Sequence, residues 1–142
     1  MNKVYIASPF FNEEQLERVK FIEETLTSCD VEYFSPRKDT YVKPNSNNNE
    51  RNDAFFANLD AIDNAHLVIA VTDGKDVGTI FEAGYAYAKK IPIIYFAETL
   101  GDKPFNLMLA ISGNKICKSR IEFENEVKSN FLTFEIFKGE IE

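Results

Sequence analysis

Residue types that would point to several common functions are scarce in this sequence of 142 residues. It has no tryptophan, one histidine and two cysteines, and its 16 basic residues are outnumbered by 23 acidic ones, giving a net charge of -7. Binding to a nucleic-acid backbone requires clustered lysine and arginine, so this charge argues against a nucleic-acid partner. We expect a small, neutral or weakly charged partner instead.

Metal-binding, redox and membrane-spanning signals are missing as well. Cys29 and Cys117 lie far apart and belong to no metal-like or redox-like spacing, so we interpret both as ordinary thiols. The N-terminal residues lack the pattern of a signal peptide, and no apolar run approaches the length of a membrane span. We therefore expect a cytoplasmic protein without a membrane partner.

Glycine-rich phosphate loops are also absent. Neither Gly-x-Gly-x-x-Gly nor Gly-x-x-x-x-Gly-Lys-Ser/Thr occurs, which leaves dinucleotide and nucleoside-triphosphate sites unsupported. The first turn reads Ala7-Ser8-Pro9-Phe10-Phe11, and a pair of aromatic rings suits a flat apolar ring such as a nucleobase. Phe10 and Phe11 could equally be core residues that cover the sheet edge.

What is present indicates a globular α/β protein. The hydrophobic fraction of 44% and the length are sufficient for one domain with a real core, which we assign to residues 1–142. Apolar runs predict strands at Lys3–Ala7, Val31–Phe34, Leu67–Val71, Ile91–Phe96 and, more weakly, Lys115–Cys117. Helical spacing predicts helices at Glu13–Ser28, 51–64, 77–89 and, more weakly, Pro104–Ile111 and Ile121–Lys128, and the polar stretch Lys38–Glu50 is predicted as a loop.

This alternation predicts a Rossmann/flavodoxin-like, doubly wound fold. Nearly continuous apolar strands separated by helices are typical of a mostly parallel sheet, here of four to five strands, with helices on both faces. In such open sheets, ligands bind where a strand crosses into a helix.

Glu82 lies at one of these crossings and is the strongest candidate for chemistry. Its neighbours on the helix are apolar or small, which indicates close packing, and the helix dipole would hold the carboxylate ionised. A solvated helix-start glutamate is the plainer alternative. Asp76 can cap this helix, and Gly78 allows a ligand to approach the backbone.

Asn58 is a further candidate on the preceding helix. It falls on the apolar stripe formed by Phe55, Leu59 and Ile62, where a polar group needs either a ligand or another side chain as its partner.

Three segments in order resemble the nucleoside 2-deoxyribosyltransferase family. They are Tyr5-Ile6-Ala7-Ser8-Pro9-Phe10-Phe11, Asp76-Val77-Gly78-Thr79 leading to Glu82-Ala83-Gly84-Tyr85-Ala86, and Lys103-Pro104-Phe105-Asn106-Leu107-Met108. The resemblance spans almost the whole chain, including the aromatic tail at 134–139. It implies exchange of the base of 2'-deoxyribonucleosides with free purine or pyrimidine bases, in base salvage, without a metal or cofactor.

The resemblance also implies roles for individual residues. Glu82 would attack the anomeric carbon to form a covalent deoxyribosyl-enzyme with net retention, as in retaining glycosidases. Tyr5 would orient Glu82, and Asp76 would protonate or hydrogen-bond the departing base. Asn106 and Met108 would reach into a neighbouring subunit's site, since the family forms dimers and hexamers, so we expect a homo-oligomer.

Two positions depart from the family pattern, Asn58 and His66. His66 stands where an aspartate often precedes the third strand, and we interpret it as a structural histidine at a helix end. Asn58 stands where many members have aspartate, and it can hydrogen-bond a base but cannot supply charge or a proton. The residues expected to bind the substrate are therefore Phe11, Asn58, Gly78, Asn106 and Met108.

Two other functions remain open. A 2'-deoxynucleoside 5'-monophosphate N-hydrolase would use the same glutamate but pass the sugar to water, although the first turn lacks the arginine that its relatives use for the phosphate. A nucleoside sensor would bind without chemistry and would not need Tyr5, Asp76 or Glu82.

Overall fold

The computed structural model describes residues 3–142, so residues 1 and 2 of the predicted domain lie outside the described range. Five strands occur within it: β1 (Lys3–Ala7), β2 (Glu32–Phe34), β3 (Leu67–Val71), β4 (Ile93–Phe96) and β5 (Lys115–Cys117). The same range contains six helices: α1 (Glu13–Ser28), α2 (Pro36–Asp39), α3 (Asn48–Asp63), α4 (Val77–Ala88), α5 (Leu107–Ser112) and α6 (Arg120–Lys128). No helix in residues 3–142 is both long enough and apolar enough to span a membrane.

The strands form one sheet in the order β2-β1-β3-β4-β5, and every neighbouring pair is parallel. This is the flavodoxin-like strand order, and it confirms the predicted doubly wound fold. The strand order changes direction between β1 and β3. Ligands of such folds bind outside the carboxyl ends of the strands at this point.

Helices cover both faces of the sheet, as the apolar strands predicted. One face packs against α1 and α6, through Val19, Ile22 and Leu26 and through Phe123 and Val127. The other face packs against α3, α4 and α5, through Ile62, Ala83, Ala86 and Ala110. Tyr5 belongs to this second face, so its ring points towards the α3 and α4 layer.

Small side chains bring α4 close to the sheet. Ala83 and Ala86 are fully buried against it, and the Asp76 side chain caps the helix by accepting a hydrogen bond from the Thr79 backbone N–H (2.9 Å). The predicted cap is therefore formed, and it fixes where α4 begins after β3.

The prediction of a loop over Lys38–Glu50 is wrong at both ends. Ser35 and Pro36 start the short helix α2, since proline suits the first helical position, and the helix runs into the segment predicted as loop. At the other end Asn47 and Glu50 form a capping box, so α3 starts at Asn48 rather than near Arg51. The asparagine run that indicated a loop is the start signal of a helix.

Candidate active site

The phenol of Tyr5 meets the carboxylate of Glu82 at the switch point of the sheet. Tyr5 lies on β1 and is fully buried, with its ring stacked on Phe34 of β2 at a centroid distance of 5.6 Å. Its hydroxyl donates a hydrogen bond to Glu82 Oε2. Glu82 Oε1 receives no hydrogen bond from any residue in the range 3–142. One carboxylate oxygen is therefore held, and the other is available to a reactant.

Burial and the neighbouring charges set the protonation of Glu82. Burial raises its pKa from 4.5 to about 7, while the Tyr5 hydrogen bond lowers it and the Asp76 carboxylate raises it further. Burial therefore acts against the expected effect of the helix dipole, which favours the ionised carboxylate. At neutral pH both forms of Glu82 are populated, so its charge can change during a reaction cycle.

Asp76 lies at the start of α4 with its carboxylate partly used by the helix. Its Oδ2 accepts hydrogen bonds from the backbone N–H and the hydroxyl of Thr79, at 2.9 and 3.0 Å. A Cβ atom at Gly78 would approach this oxygen to 3.3 Å, so glycine leaves the carboxylate its space. Asp76, Gly78 and Glu82 all line the same cleft.

The turn between β3 and α4 is tied to the rest of the sheet. Asp73, which is buried, accepts hydrogen bonds from the backbone N–H and hydroxyl of Thr99 beyond β4, at 2.7 and 2.6 Å. Arg18 of α1 lies 3.8 Å from Asp73 and donates to Glu98 at 2.7 Å. These contacts brace the turn from which Asp76 and α4 start, and they fix the position of Glu82.

The Glu82 cleft, as we call it, has a volume of about 710 Å³, which is within the usual range for small-molecule sites. Its lining residues come from the first turn, from the segment between β2 and α3, and from α3 and α4: Ser8, Phe10, Phe11, Pro36, Thr40, Tyr41, Val42, Lys43, Pro44, Arg51, Ala54, Phe55, Asn58, Leu59, Asp76, Gly78, Phe81 and Glu82. Aromatic rings and Glu82 thus face one space.

Phe10 and Phe11 were each expected either to pack in the core or to contact a ligand, and the structure gives one of these positions to each. Phe10 is partly buried and packs against the core, whereas the side chain of Phe11 is 71% exposed. The two rings lie 4.7 Å apart, and Tyr41 lies 6.2 Å from Phe10. Phe10 therefore anchors an aromatic wall, and Phe11 is free to contact a ligand.

Asn58 has a side-chain partner and also faces the cleft. The hydroxyl of Thr40 donates a hydrogen bond of 2.5 Å to Asn58 Oδ1. Both residues line the Glu82 cleft.

Asn106 and Met108 lie outside the Glu82 cleft. Asn106 caps α5, its Oδ1 accepting from the backbone N–H groups of Met108 and Leu109 at 2.9 and 3.3 Å. Together with Glu142 and with Ile80 of α4, they line a second cleft of about 650 Å³, here called the Asn106 cleft. Within one chain, the structure therefore does not bring these two residues to Glu82.

Several lining residues of the Glu82 cleft escaped sequence analysis. Thr40, Tyr41, Lys43 and Arg51 lie in or next to the stretch predicted as a loop, and nothing in the local pattern shows that it folds back over α3. An aromatic residue, Tyr41, inside an otherwise polar stretch was the one available signal.

No group of three or more histidine, cysteine, aspartate and glutamate side chains in residues 3–142 is arranged to hold a metal ion. Cys29 and Cys117 are both free thiols, and burial raises the pKa of Cys117 to about 12.

Comparison with solved structures places this chain beside other proteins of the same architecture. A 2-deoxyribosyltransferase from Bacillus psychrosaccharolyticus is 29% identical, with a TM-score of 0.81, over 96% of this chain and 99% of that one. A conserved protein from Enterococcus faecalis V583 is 20% identical, with a TM-score of 0.73, over 92% and 99% of the two chains. A CMP N-glycosidase of Clostridium botulinum is 18% identical, with a TM-score of 0.62, over 89% and 98%. The last two likenesses establish the fold alone.

Sequence comparisons give one match and one negative result. No curated protein sequence matched this chain. The sequence model of the family described as nucleoside 2-deoxyribosyltransferase matches residues 4–122, which include all of β1 but its first residue, the residues that line the Glu82 cleft, and α5. The chain therefore belongs to the nucleoside 2-deoxyribosyltransferase family of glycosyltransferase enzymes.

Proposed function

We propose that this protein exchanges the base of 2'-deoxyribonucleosides through a covalent intermediate on Glu82, serving base salvage in the cytoplasm. The observation that carries the proposal is the Tyr5–Glu82 pair at the switch point, with one carboxylate oxygen held and the other open to the cleft. Family membership supplies the class of reaction.

The reaction would proceed in two displacements. Glu82 Oε1 attacks C1' of the sugar as the bond from C1' to the base nitrogen breaks, the departing base takes the electron pair, and Asp76 donates a proton to it. A second base then attacks C1' through a ring nitrogen, the ester bond to Glu82 breaks, and that base returns a proton to Asp76. Two inversions at C1' give net retention.

The shape of the cleft supports a nucleoside as the substrate. Phe10, Phe11 and Tyr41 offer aromatic faces to a flat base, and Asn58 offers a polar edge contact. Exclusion of water by these rings would favour a second base over water as the acceptor of the sugar.

The decisive experiment incubates the protein with thymidine and adenine and separates the products by chromatography. We expect deoxyadenosine and thymine from the wild type and neither from Glu82→Ala. Asp60→Ala, an exposed site on α3 outside the cleft, is the matched control and should remain active. Absence of product from the wild type, with deoxyinosine as donor as well, would refute the proposal.

Sharing of the site between subunits is part of the proposal. Met108 is 73% exposed, Ile80 of α4 is 37% exposed, and both present apolar surface in the Asn106 cleft. If a second copy of the chain covered this surface, Asn106 and Met108 of the first copy would reach the Glu82 cleft of the second. The assembly would be a dimer or a hexamer built from dimers.

Subunit mixing tests this sharing. Asn106→Ser keeps a helix-capping side chain but shortens its reach, and Glu82→Ala removes the nucleophile. If each site uses Glu82 from one subunit and Asn106 from its partner, mixing the inactive Glu82→Ala variant with the weakened Asn106→Ser variant should give more activity than the two variants give separately. Analytical ultracentrifugation gives the oligomeric state independently, and a monomer with full activity would refute the shared site.

A nucleotide N-hydrolase is a second candidate because two cations line the Glu82 cleft. Lys43 and Arg51 form no ion pair with any carboxylate in residues 3–142, although Arg51 donates a hydrogen bond of 3.1 Å to the Pro44 carbonyl. They could hold a 5'-phosphate. Release of free thymine from dTMP without an acceptor base, reduced in Arg51→Ala, would favour this candidate over the transferase.

A nucleoside sensor is distinguished by its tolerance of Glu82→Ala. It would bind nucleosides with unchanged affinity in this variant and would show no turnover in either protein.

A further inference from the structure

Thr40 and Asn58 form a hydrogen-bonded pair that leaves the amide N–H groups of Asn58 available to a ligand. Thr40 donates to Asn58 Oδ1, so the acceptor half of the amide is used by the protein. The Asn58 amide nitrogen Nδ2 makes no hydrogen bond to any residue in the range 3–142, and it is not among the buried polar atoms that lack a partner. Asn58 therefore keeps its oxygen engaged by Thr40 and leaves its two N–H donors available in the cleft that it lines.

The position of Thr40 is itself fixed. Its backbone N–H closes α2 by donating to the Pro36 carbonyl at 3.0 Å. At the other end of α2, the Ser35 hydroxyl donates to the buried carboxylate of Glu23 at 2.6 Å, and Arg37 forms an ion pair with the same carboxylate. A helix anchored in this way holds the Thr40 hydroxyl where it sets the orientation of the Asn58 amide.

We propose that the Thr40–Asn58 pair is a specificity device that selects bases carrying a carbonyl group over bases carrying an amino group at the same position. This inference rests on the proposed function of the Glu82 cleft as a nucleobase site. An amide N–H pairs with a carbonyl oxygen or a ring nitrogen, whereas an exocyclic amino group facing it would meet donor against donor. A carboxylate at this position would have the opposite preference.

Hypoxanthine and adenine are the sharpest pair of probes because the same ring carbon carries a carbonyl group in the first and an amino group in the second, and only the adjacent ring nitrogen differs besides. When two donors face each other, a polar group is desolvated without gaining a partner. The cost lowers the preference for the mismatched base by about tenfold or more. The wild type should therefore favour hypoxanthine by about this factor.

The experiment supplies thymidine as donor with equal amounts of hypoxanthine and adenine, and it measures the ratio of deoxyinosine to deoxyadenosine formed. Asn58→Asp should reverse the ratio in favour of adenine. Thr40→Val removes the hydroxyl and frees the amide to rotate, so the ratio should fall towards one. Thr40→Ser keeps the hydroxyl and should keep the wild-type ratio, which makes it the matched control.

Equilibrium binding of the two free bases, measured by titration calorimetry on the same variants, separates this inference from the proposed reaction. A protein that binds hypoxanthine more tightly than adenine, but transfers no sugar, would support the pair as a specificity device and refute the transferase. Transfer with a base ratio that is the same in the wild type, Asn58→Asp and Thr40→Val would leave the transferase intact and overturn the inference. A wild-type preference for adenine in both measurements would overturn it as well.

Discussion

Replacing Glu82 by glutamine should stabilise the protein while removing its proposed nucleophile, and the gain should grow with pH. Burial raises the pKa of Glu82 from 4.5 to about 7, so the folded state binds this proton more tightly than the unfolded state does. The stabilising contribution of the protonated acid is complete below the unfolded value and is lost as the pH rises through the folded one. At alkaline pH the ionised, partly buried carboxylate then costs about 3 kcal/mol of unfolding free energy.

Glutamine carries no such charge, and its carbonyl can still accept the Tyr5 hydrogen bond. We therefore expect Glu82→Gln to exceed the wild type in unfolding free energy by about 1 kcal/mol near pH 5.5 and by about 3 kcal/mol near pH 8.5. Urea unfolding followed by far-UV circular dichroism measures both, which suits a chain without tryptophan.

Glu24→Gln, at an exposed glutamate of α1, is the control for removing a negative charge from an acidic protein. Its stability should follow that of the wild type at every pH. If the difference between Glu82→Gln and the wild type stayed constant across this range, or changed sign, the assignment of Glu82 as a buried acid with a raised pKa would be refuted.

Two further predictions concern residues next to the sheet. Tyr5→Phe removes the hydrogen bond that lowers the pKa of Glu82, so the acid limb of the pH profile of kcat/KM should move upwards by about one unit; a limb that stays in place would contradict this role of Tyr5. Gly113→Ala should lower the unfolding free energy by about 1–3 kcal/mol, because its Cβ would lie 2.6 Å from the Tyr95 ring. Urea unfolding measures this loss, and a variant as stable as the wild type would show that the Tyr95 ring can move aside.

The sheet could be predicted from the sequence because its strands are buried on both faces. Continuous apolar runs such as Leu67–Val71 allow few other structures, and the structure places this strand at the predicted residues. The start of α4 was equally accessible, since aspartate before a run of small and apolar residues is a local signal. These features depend on residues that are close together in the chain.

The walls of the cleft could not be predicted in the same way. The contact between Thr40 and Asn58 depends on how α2 packs beside α3, and the residues that hold α2, such as Glu23, lie in an earlier helix. The pKa of Glu82 likewise depends on burial by several segments, which a local dipole argument does not include. The Tyr5–Glu82 contact was expected from the family resemblance and from no local pattern.

The place of β1 in the middle of the sheet has a consequence for biosynthesis. Tyr5 pairs with Phe34 on one side and with Val68 on the other, and its hydroxyl reaches Glu82. A ribosome makes β1 first, yet the neighbours that cover it emerge only later, so this apolar strand must wait in the nascent chain. The Tyr5–Glu82 pair can thus form only after α4 has left the exit tunnel, which separates the appearance of the proposed nucleophile from the early steps of folding.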